Sequence, residues 1–433
     1  ARDDIALLAF KTQANGNLAR YNLVDQTVDS FEDTSGVDAS ASTDEVRDAT
    51  GKYYSGTVIG SVTEKTSSGT FTPSATGNYE ILVVAGGGGG GSGAGDSGGR
   101  GGGGGGGGVV HDSSYALTSG VEYDLTIGAG GGGGTGSHPS YTNGASGVNS
   151  VWNVNAEGSG STMTALGGGG GGKNGGIGQD GGSGGGGGKD YTGGDATQGD
   201  SGGGTGYGFD GGKPATGSAA GGGGGGAGAV GTWGGGDSTG GAGKLLSSFT
   251  SYGVSGYFAG GGGGGRTGSN ASGGSGGGGQ GGDNGTPGGN TAGTANTGGG
   301  GGGGSTSTGS DGGSGIILIK DPDAQNDMTL ISNAVTAESA PTIGDLVITF
   351  TNGVGTATIN TDIKAYISRD GSAYTSAVTL VDQGDTGGHT ILTASGVDLS
   401  GITSGTSMRW KIETLNQSAS KDTRIQAVSL GWS

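Results

Sequence analysis

The chain's three histidines, His111, His138 and His389, lie far apart with no partner at i+4, so none falls in a spacing that holds zinc. The carboxylates Asp180, Asp190, Asp195, Asp200 and Asp210 crowd a glycine-rich stretch in which calcium could find oxygen ligands. The repeat spacing of a calcium-binding β-roll is missing there. A glycosidase needs two carboxylates held on a rigid frame, and no such pair stands out. GGGGGGKN ending at Asn174 and GGGGGKD ending at Asp190 look like phosphate-binding loops, but both lack the Ser or Thr that holds magnesium. GGSGG at 181–185 fits GxSxG without a strand-to-helix elbow around it. With 121 glycines in the chain, composition alone generates such matches. The sequence therefore predicts no enzyme, no catalytic residue, no metal and no cofactor.

Aromatic residues inside polar, glycine-rich segments are chemically more distinctive. Tyr191, Tyr207, Phe209 and Trp233 have little core nearby to enter. Exposed aromatic faces bind sugars or hydrophobic receptor loops, so these four are the candidate receptor-binding residues; the alternative is that they staple the rim of the glycine-rich region. Phe249, Tyr252, Tyr257 and Phe258 belong to KLLSSFTSYGVSGYFAG, which is apolar enough to bury several of them.

Composition restricts the elements that could carry these side chains. The net charge of −18 repels phosphate backbones and anionic membrane surfaces, which argues against nucleic acid as a partner. No apolar run approaches the ~20 residues that span a bilayer, and ARDDIALLAF lacks the basic start and cleavage pattern of a signal peptide. There is no cysteine. Three regions separate by composition: 1–69, mixed and charged; 70–320, glycine-rich; and 321–433, ordinary and β-rich. In the first, Leu18, Tyr21, Val24, Val28 and Phe31 follow the three-and-four spacing of a short amphipathic helix. One such helix cannot bury its stripe alone, so it predicts self-association, as a trimer, and attachment through the N-terminus. In the third, DMTLIS, DLVITFTN, DIKAYISRD, AVTLVD, HTILTAS, SMRWKIETLN and TRIQAVSLGWS alternate with turns, the pattern of an antiparallel, jelly-roll-like β-sandwich. Leu346, Ile348 and Phe350 should face inward, as should Ile363, Ala365 and Ile367, with Trp410 and Trp432 in the core. Arg369-Asp370-Gly371 reads as a hairpin turn.

The middle region holds glycine runs at 86–91, 101–108, 130–134, 167–172, 184–188, 221–226, 260–265, 276–279 and 298–304. A flexible linker would have no use for the strand-like segments that enter several of them: ILVVA, YDLTIGA, MTAL and GYFA, with GIILIK closing the region. Helix is poor because each glycine costs ~1 kcal/mol against alanine, and a glycine strand has no side chains to pack. An extended threefold helix makes no internal hydrogen bonds and points its amides sideways, so neighbouring rods bond to it. Ordering costs ~1–2 kcal/mol per residue while a net hydrogen bond returns ~0.5–1.5 kcal/mol, so such a bundle needs a β-frame to clamp it. The fold expected is mostly β: a short N-terminal helix, a β-framed polyglycine-II bundle and a C-terminal sandwich.

In order along the chain, TFTPSATGNYEILVVAGGGGGG, YALTSGVEYDLTIGAGGGGG, GASGVNSVWN, MTALGGGGGG and GGSGIILIK resemble the glycine-rich domain that recurs in bacteriophage tail fibres and tip adhesins. NLVDQTVDSFEDTSGVDASAS and TRIQAVSLGWS are also similar to segments of tail-fibre-like proteins. The resemblance implies a virion protein, extracellular, whose loops between polyglycine-II rods recognise a host cell-surface glycan or outer-membrane protein while other tail proteins hold its N-terminus. A purely structural appendage or capsid fibre, and a carbohydrate-binding surface protein acting through its sandwich, are the alternatives.

Overall fold

The computed structural model describes residues 20–23, 25–94, 98–137, 140–158, 160–213, 220–233, 237–283, 289–306 and 308–433. They form two compact units: the residues up to Gly60 together with 323–433, and residues 61–322. Among the described residues strands dominate, in several antiparallel sheets with no closed barrel. Among the described residues no helix is long and apolar enough to cross a membrane.

In the first unit, the long strands Asp422–Trp432 and Ile343–Val354 pair antiparallel at the centre of one sheet, which continues through His389–Asp398 to Val381–Thr386. A second sheet centres on Ser407–Thr414, flanked by Met328–Ile331 and Ile363–Ser368. Residues 407–414 alternate half-buried and buried along their whole length, as a strand with one face on a core requires. Leu346, Ile348 and Phe350 from one sheet meet Ile363, Ala365 and Ile367 from the other in a single core that also holds Trp410 and Trp432. The inward-facing residues read from alternation are the ones found.

Among the described residues the expected N-terminal helix is absent. Leu18 and Val24 lie outside the described residues; Tyr21 sits in strand Arg20–Leu23 and Val28 in strand Gln26–Asp29, a hairpin that turns at Asp25 with φ 61°. Gln26–Asp29 adds to the edge of Asp422–Trp432, and all four of its residues are buried. Phe31, with φ 55°, enters the same core, its ring edge-on to Tyr54 at 4.9 Å and to Trp410 at 6.2 Å. Spacings of three and four are met by a strand followed by one left-handed residue, and pairing with a long edge strand overrides local helical preference. Val28 and Phe31 are thus consumed inside the chain, and the trimer expectation loses the element it rested on. The segment read as a separate module shares its core with the C-terminal strands.

The second unit begins as a layered frame. A five-stranded sheet runs in the order Thr205–Tyr207, Val109–Leu117, Gly77–Val84, Ile316–Lys320, Val62–Lys65. Both faces are covered, which explains the unbroken apolar runs ILVVA and IILI. Ile81, Val83, Ile317 and Ile319 pack on a four-stranded sheet through Tyr123, Leu125, Trp152 and Met163. Leu82, Val84, Ile316 and Leu318 pack the other way, on Leu246, Phe249, Phe258 and Ala259.

The glycine runs grow straight out of these strands. In run 101–108, Gly101, Gly104 and Gly107 donate to the carbonyls of Gly304, Gly301 and Gly298 at 2.9, 2.8 and 2.8 Å. Gly102, Gly105 and Gly108 donate to Gly172, Gly169 and Leu166 at 2.7, 2.8 and 2.7 Å, and Gly103 and Gly106 to Gly222 and Gly225 at 3.0 and 2.8 Å. The run's carbonyls accept from three further segments: Ala85, Gly88 and Gly91; Ser183 and Gly186; Gly262 and Gly265. No hydrogen bond lies within the run, and donors return to the same neighbour every third residue. That is the pattern of polyglycine II, here with three rods taking its N–H groups and three giving theirs. The 221–226 rod is parallel to it and the other five are antiparallel.

Close approach makes glycine obligatory. A Cβ on Gly104 would lie 2.0 Å from the carbonyl oxygen of Gly88, and one on Gly103 2.0 Å from that of Gly262. Instead the Cα–H groups face those oxygens, a weak attraction added to the N–H bonds. Outer rods keep glycine at every third position and admit other residues between. In 142–148 and 309–315 the glycines recur as Gly144, Gly147 and Gly309, Gly312, Gly315, each with its missing Cβ aimed at a neighbour's carbonyl, while Ala145, Ser146 and Asp311 are exposed. The stretch 276–279 departs from expectation: Gly276 and Gly277, at φ 93° and 90°, form a turn at the frame end.

Candidate functional site

Hydrogen-bond register places every rod end at one of two levels. Gly91, Gly102, Gly172 and Gly186 bond at one level, with Gly101, Gly265, Gly304 and Gly221 beside them. Ala85, Gly108 and Leu166 bond at the other, against the frame. The described residues that leave the first level therefore collect at the end of the bundle far from the frame: 93–94, 98–100, 135–137, 140–141, 173–176, 189–191, 213, 220, 266–270, 283, 289, 305–306 and 308. An eight-residue run at ~3.1 Å per residue holds them ~25 Å out.

These loops are joined to one another. Ser92 donates through Oγ to the carbonyl of Thr142 at 2.9 Å and accepts from the N–H of Asn174 at 2.9 Å. The carbonyl of Arg100 accepts from Lys189 N–H at 3.0 Å. Arg100 itself is buried, with 2% of its surface exposed, and donates through Nη1 to the carbonyls of Gly99 at 3.0 Å and Ser305 at 3.2 Å. Burial pulls its guanidinium below the usual arginine range. A lone arginine between two glycine tracts is the sequence signal for this pin, and composition arguments pass over it.

Of the four aromatics, the structure brings two to the loop end. Tyr191, 47% exposed, follows the 184–188 rod and lies beside the 173–176 turn, where a methyl on Gly175 would meet its ring at 3.7 Å. Trp233, 65% exposed, leads into the hairpin closed by Thr232 and Thr239, whose Ser238 carbonyl accepts from Gly264. Tyr207 and Phe209 lie at the opposite end. Tyr207 pairs with Val109 in the frame sheet, packs on the frame core and carries Lys244 Nζ 3.9 Å above its ring centroid. Phe209, 40% exposed, begins the next rod, its carbonyl bonded to Gly184 N–H at 3.1 Å. Nine residues of rise separate the levels of Val109 and Arg100, on the order of 25 Å, so the four do not form one patch. Phe249 and Phe258 are buried.

The acidic stretch has structural work. Asp180 Oδ1 accepts from Asp195 N–H at 2.8 Å, Asp210 Oδ1 from Ala196 N–H at 2.7 Å and Asp200 Oδ1 from Gly206 N–H at 2.9 Å. These carboxylates cap amides that no neighbouring rod reaches. His111 Nε2 is 2.8 Å from Glu80 Oε1 on the frame, His389 stands at a hairpin of the first unit, and His138 lies outside the described residues. Among the described residues no group of three or more His, Asp or Glu could hold a metal ion.

Residues 65–321 match a family described as a glycine-rich domain. No curated protein matches the chain.

Proposed function

The chain belongs to the glycine-rich domain family, and from that premise we propose that it is a virion attachment protein: a bacteriophage tail-fibre or adhesin subunit, extracellular, whose loops contact a host cell-surface glycan or outer-membrane protein. One observation carries the reading. A stiff, laterally bonded bundle gathers its loops at one end, tied together and bearing the exposed rings of Tyr191 and Trp233. Rigid presentation of aromatic side chains lowers the entropy lost on binding, which is what a recognition surface on a spacer requires. The likeness of its ordered segments to tail-fibre sequences supports the virion setting. Other tail proteins would hold its N-terminus.

Fluorescently labelled full chain is expected to bind at least one strain in a panel of bacteria and to protect that strain from the particle that carries it. Tyr191→Ala with Trp233→Ala should lower cell binding at least ~10-fold, the scale of losing aromatic anchors, with the melting temperature unchanged. A folded double variant that binds as well as the parent would remove these residues from the contact. Binding to no strain would remove the attachment role.

A further inference from the structure

The first unit carries a cleft of about 630 Å³, within the ~300–1,000 Å³ range of small-ligand sites. It lies between the segment 374–379 and the end of strand His389–Asp398 with the loop that follows. We propose that this cleft binds a neutral saccharide, a site distinct from the loop end of the glycine-rich unit and independent of the attachment reading.

The lining chemistry selects the ligand. Tyr374, half-buried, supplies an aromatic surface, and Ser376, Thr379 and Ser395 supply hydroxyls that both donate and accept, while the Thr375 hydroxyl accepts from Ile367 N–H at 3.2 Å. Beneath them, buried Val378 and Ala394 and half-buried Val397 and Ile402 form an apolar floor continuous with the sandwich core. A sugar presents the complement: C–H faces for the ring and floor, and hydroxyls for the rim. Asp398 is the one charged residue of the lining. The hydroxyl and N–H of Ser400 hold its carboxyl below the usual aspartate range, so it stays an ionised acceptor for sugar hydroxyls and repels anions. Lys411 Nζ, 5.4 Å over the Tyr374 ring, is paired with Glu413 at 2.8 Å, so with three such hydroxyls, one carboxylate and no basic residue of its own the lining fits a polyol better than a phosphate, a sialic acid or a uronic acid.

The walls are fixed before any ligand arrives. Arg369, 6% exposed, spreads its guanidinium over the carbonyls of Pro341 at 2.7 Å, Ile402 at 2.7 Å, Ser400 at 3.3 Å and Thr403 at 3.3 Å, which locks the 398–403 wall. The opposite wall is laced to strand Ile363–Ser368 by Thr375 N–H to the carbonyl of Ile367 and Val378 N–H to that of Ala365, both 2.9 Å. Asp345 Oδ1 accepts from Gly396 N–H at 2.7 Å, and Gly396, at φ 65°, sets the bend between Ser395 and Val397. Preorganisation of this kind reduces the ordering lost on binding.

A printed array of neutral hexose and N-acetylhexosamine oligosaccharides, beside sialylated, uronic-acid and phosphorylated ones, tests this with the full chain. Neutral glycans should be retained and anionic ones not. Tyr374→Ala and Ser395→Tyr, the second filling the cleft from an exposed position, should each weaken retention at least ~10-fold, equivalent to ~1.4 kcal/mol, with melting temperatures unchanged. The Tyr191→Ala/Trp233→Ala chain should retain the same glycans as the parent, which separates this site from the loop end. No glycan retained, a preference for anionic glycans, or undiminished retention by folded Ser395→Tyr would each overturn the proposal.

Discussion

Gly104→Ala is expected to lower the melting temperature of the glycine-rich unit by ~6–12 °C, while Gly132→Ala leaves it within a degree or two of the parent. The two substitutions add the same methyl to the same kind of run. At Gly104 the new carbon would lie 2.0 Å from the carbonyl oxygen of Gly88 and 2.5 Å from its carbon. Gly104 N–H is bonded to Gly301 and its carbonyl to Gly262, both at 2.8 Å, so sliding away from Gly88 breaks bonds on other sides. Backbone cannot rotate aside as a side chain can; overpacking of ~1–3 kcal/mol combines with lost hydrogen bonds of ~0.5–1.5 kcal/mol each to give ~3 kcal/mol or more. Gly132 has nothing within 4 Å of its missing Cβ and is exposed, although its own carbonyl takes the N–H of Ala145 at 2.8 Å. Calorimetry on the two variants checks this. Equal melting temperatures would mean that the rods are not in backbone contact.

Trp152→Ala should destabilise by ~3–5 kcal/mol, the range for removing a large buried aromatic, and the glycine runs should be lost in the same transition. Trp152 is fully buried, stacked on Tyr123 with centroids 5.8 Å apart and edge-on to Tyr115 at 6.1 Å. It belongs to the four-stranded sheet that closes the frame core, at the foot of the rod that ends at Val148. Because ordering a glycine costs about as much as its hydrogen bond returns, the bundle leans on the frame for net stability. One transition at lower temperature, followed by calorimetry and by protease access to the runs, is the expected outcome. Runs that stay protected while the frame melts would show a self-sufficient bundle.

The contrast between frame and bundle explains what the sequence reveals. ILVVA and GIILIK announce a strand covered on both faces, because apolar residues without alternation need two cores. The alternation in DLVITFTN and DIKAYISRD identifies the inner faces of the sandwich in the same way. Within the runs, identical residues carry no register: nothing in GGGGGGGG says that Gly104 meets Gly301 and Gly105 meets Gly169. Register there is imposed by the strands at the frame end. A signal does exist for the outer rods, since the recurring glycines of GASG and GSDGGSG mark positions whose Cα lies against a neighbour's carbonyl. The N-terminal hairpin was illegible for a different reason, because its partner strand lies at the other end of the chain and decides the conformation. Among the aromatics, the sequence neighbours Tyr191 and Tyr207 end up at opposite ends of the rods, a separation visible only once the turns at each end are known. The cleft beside Tyr374 is legible in neither composition nor pattern, as it needs Arg369 to draw a distant loop into place.

Amide hydrogen exchange over residues 101–108 in the intact chain bears most directly on the bundle. Each of these N–H groups donates to a carbonyl on a neighbouring rod, at 2.7 to 3.0 Å, so all of them should exchange as slowly as the amides of strand Gly77–Val84. Exchange at the rate of an unstructured glycine peptide would show a tether in place of a rod, and the rigid presentation of the loops would fall with it.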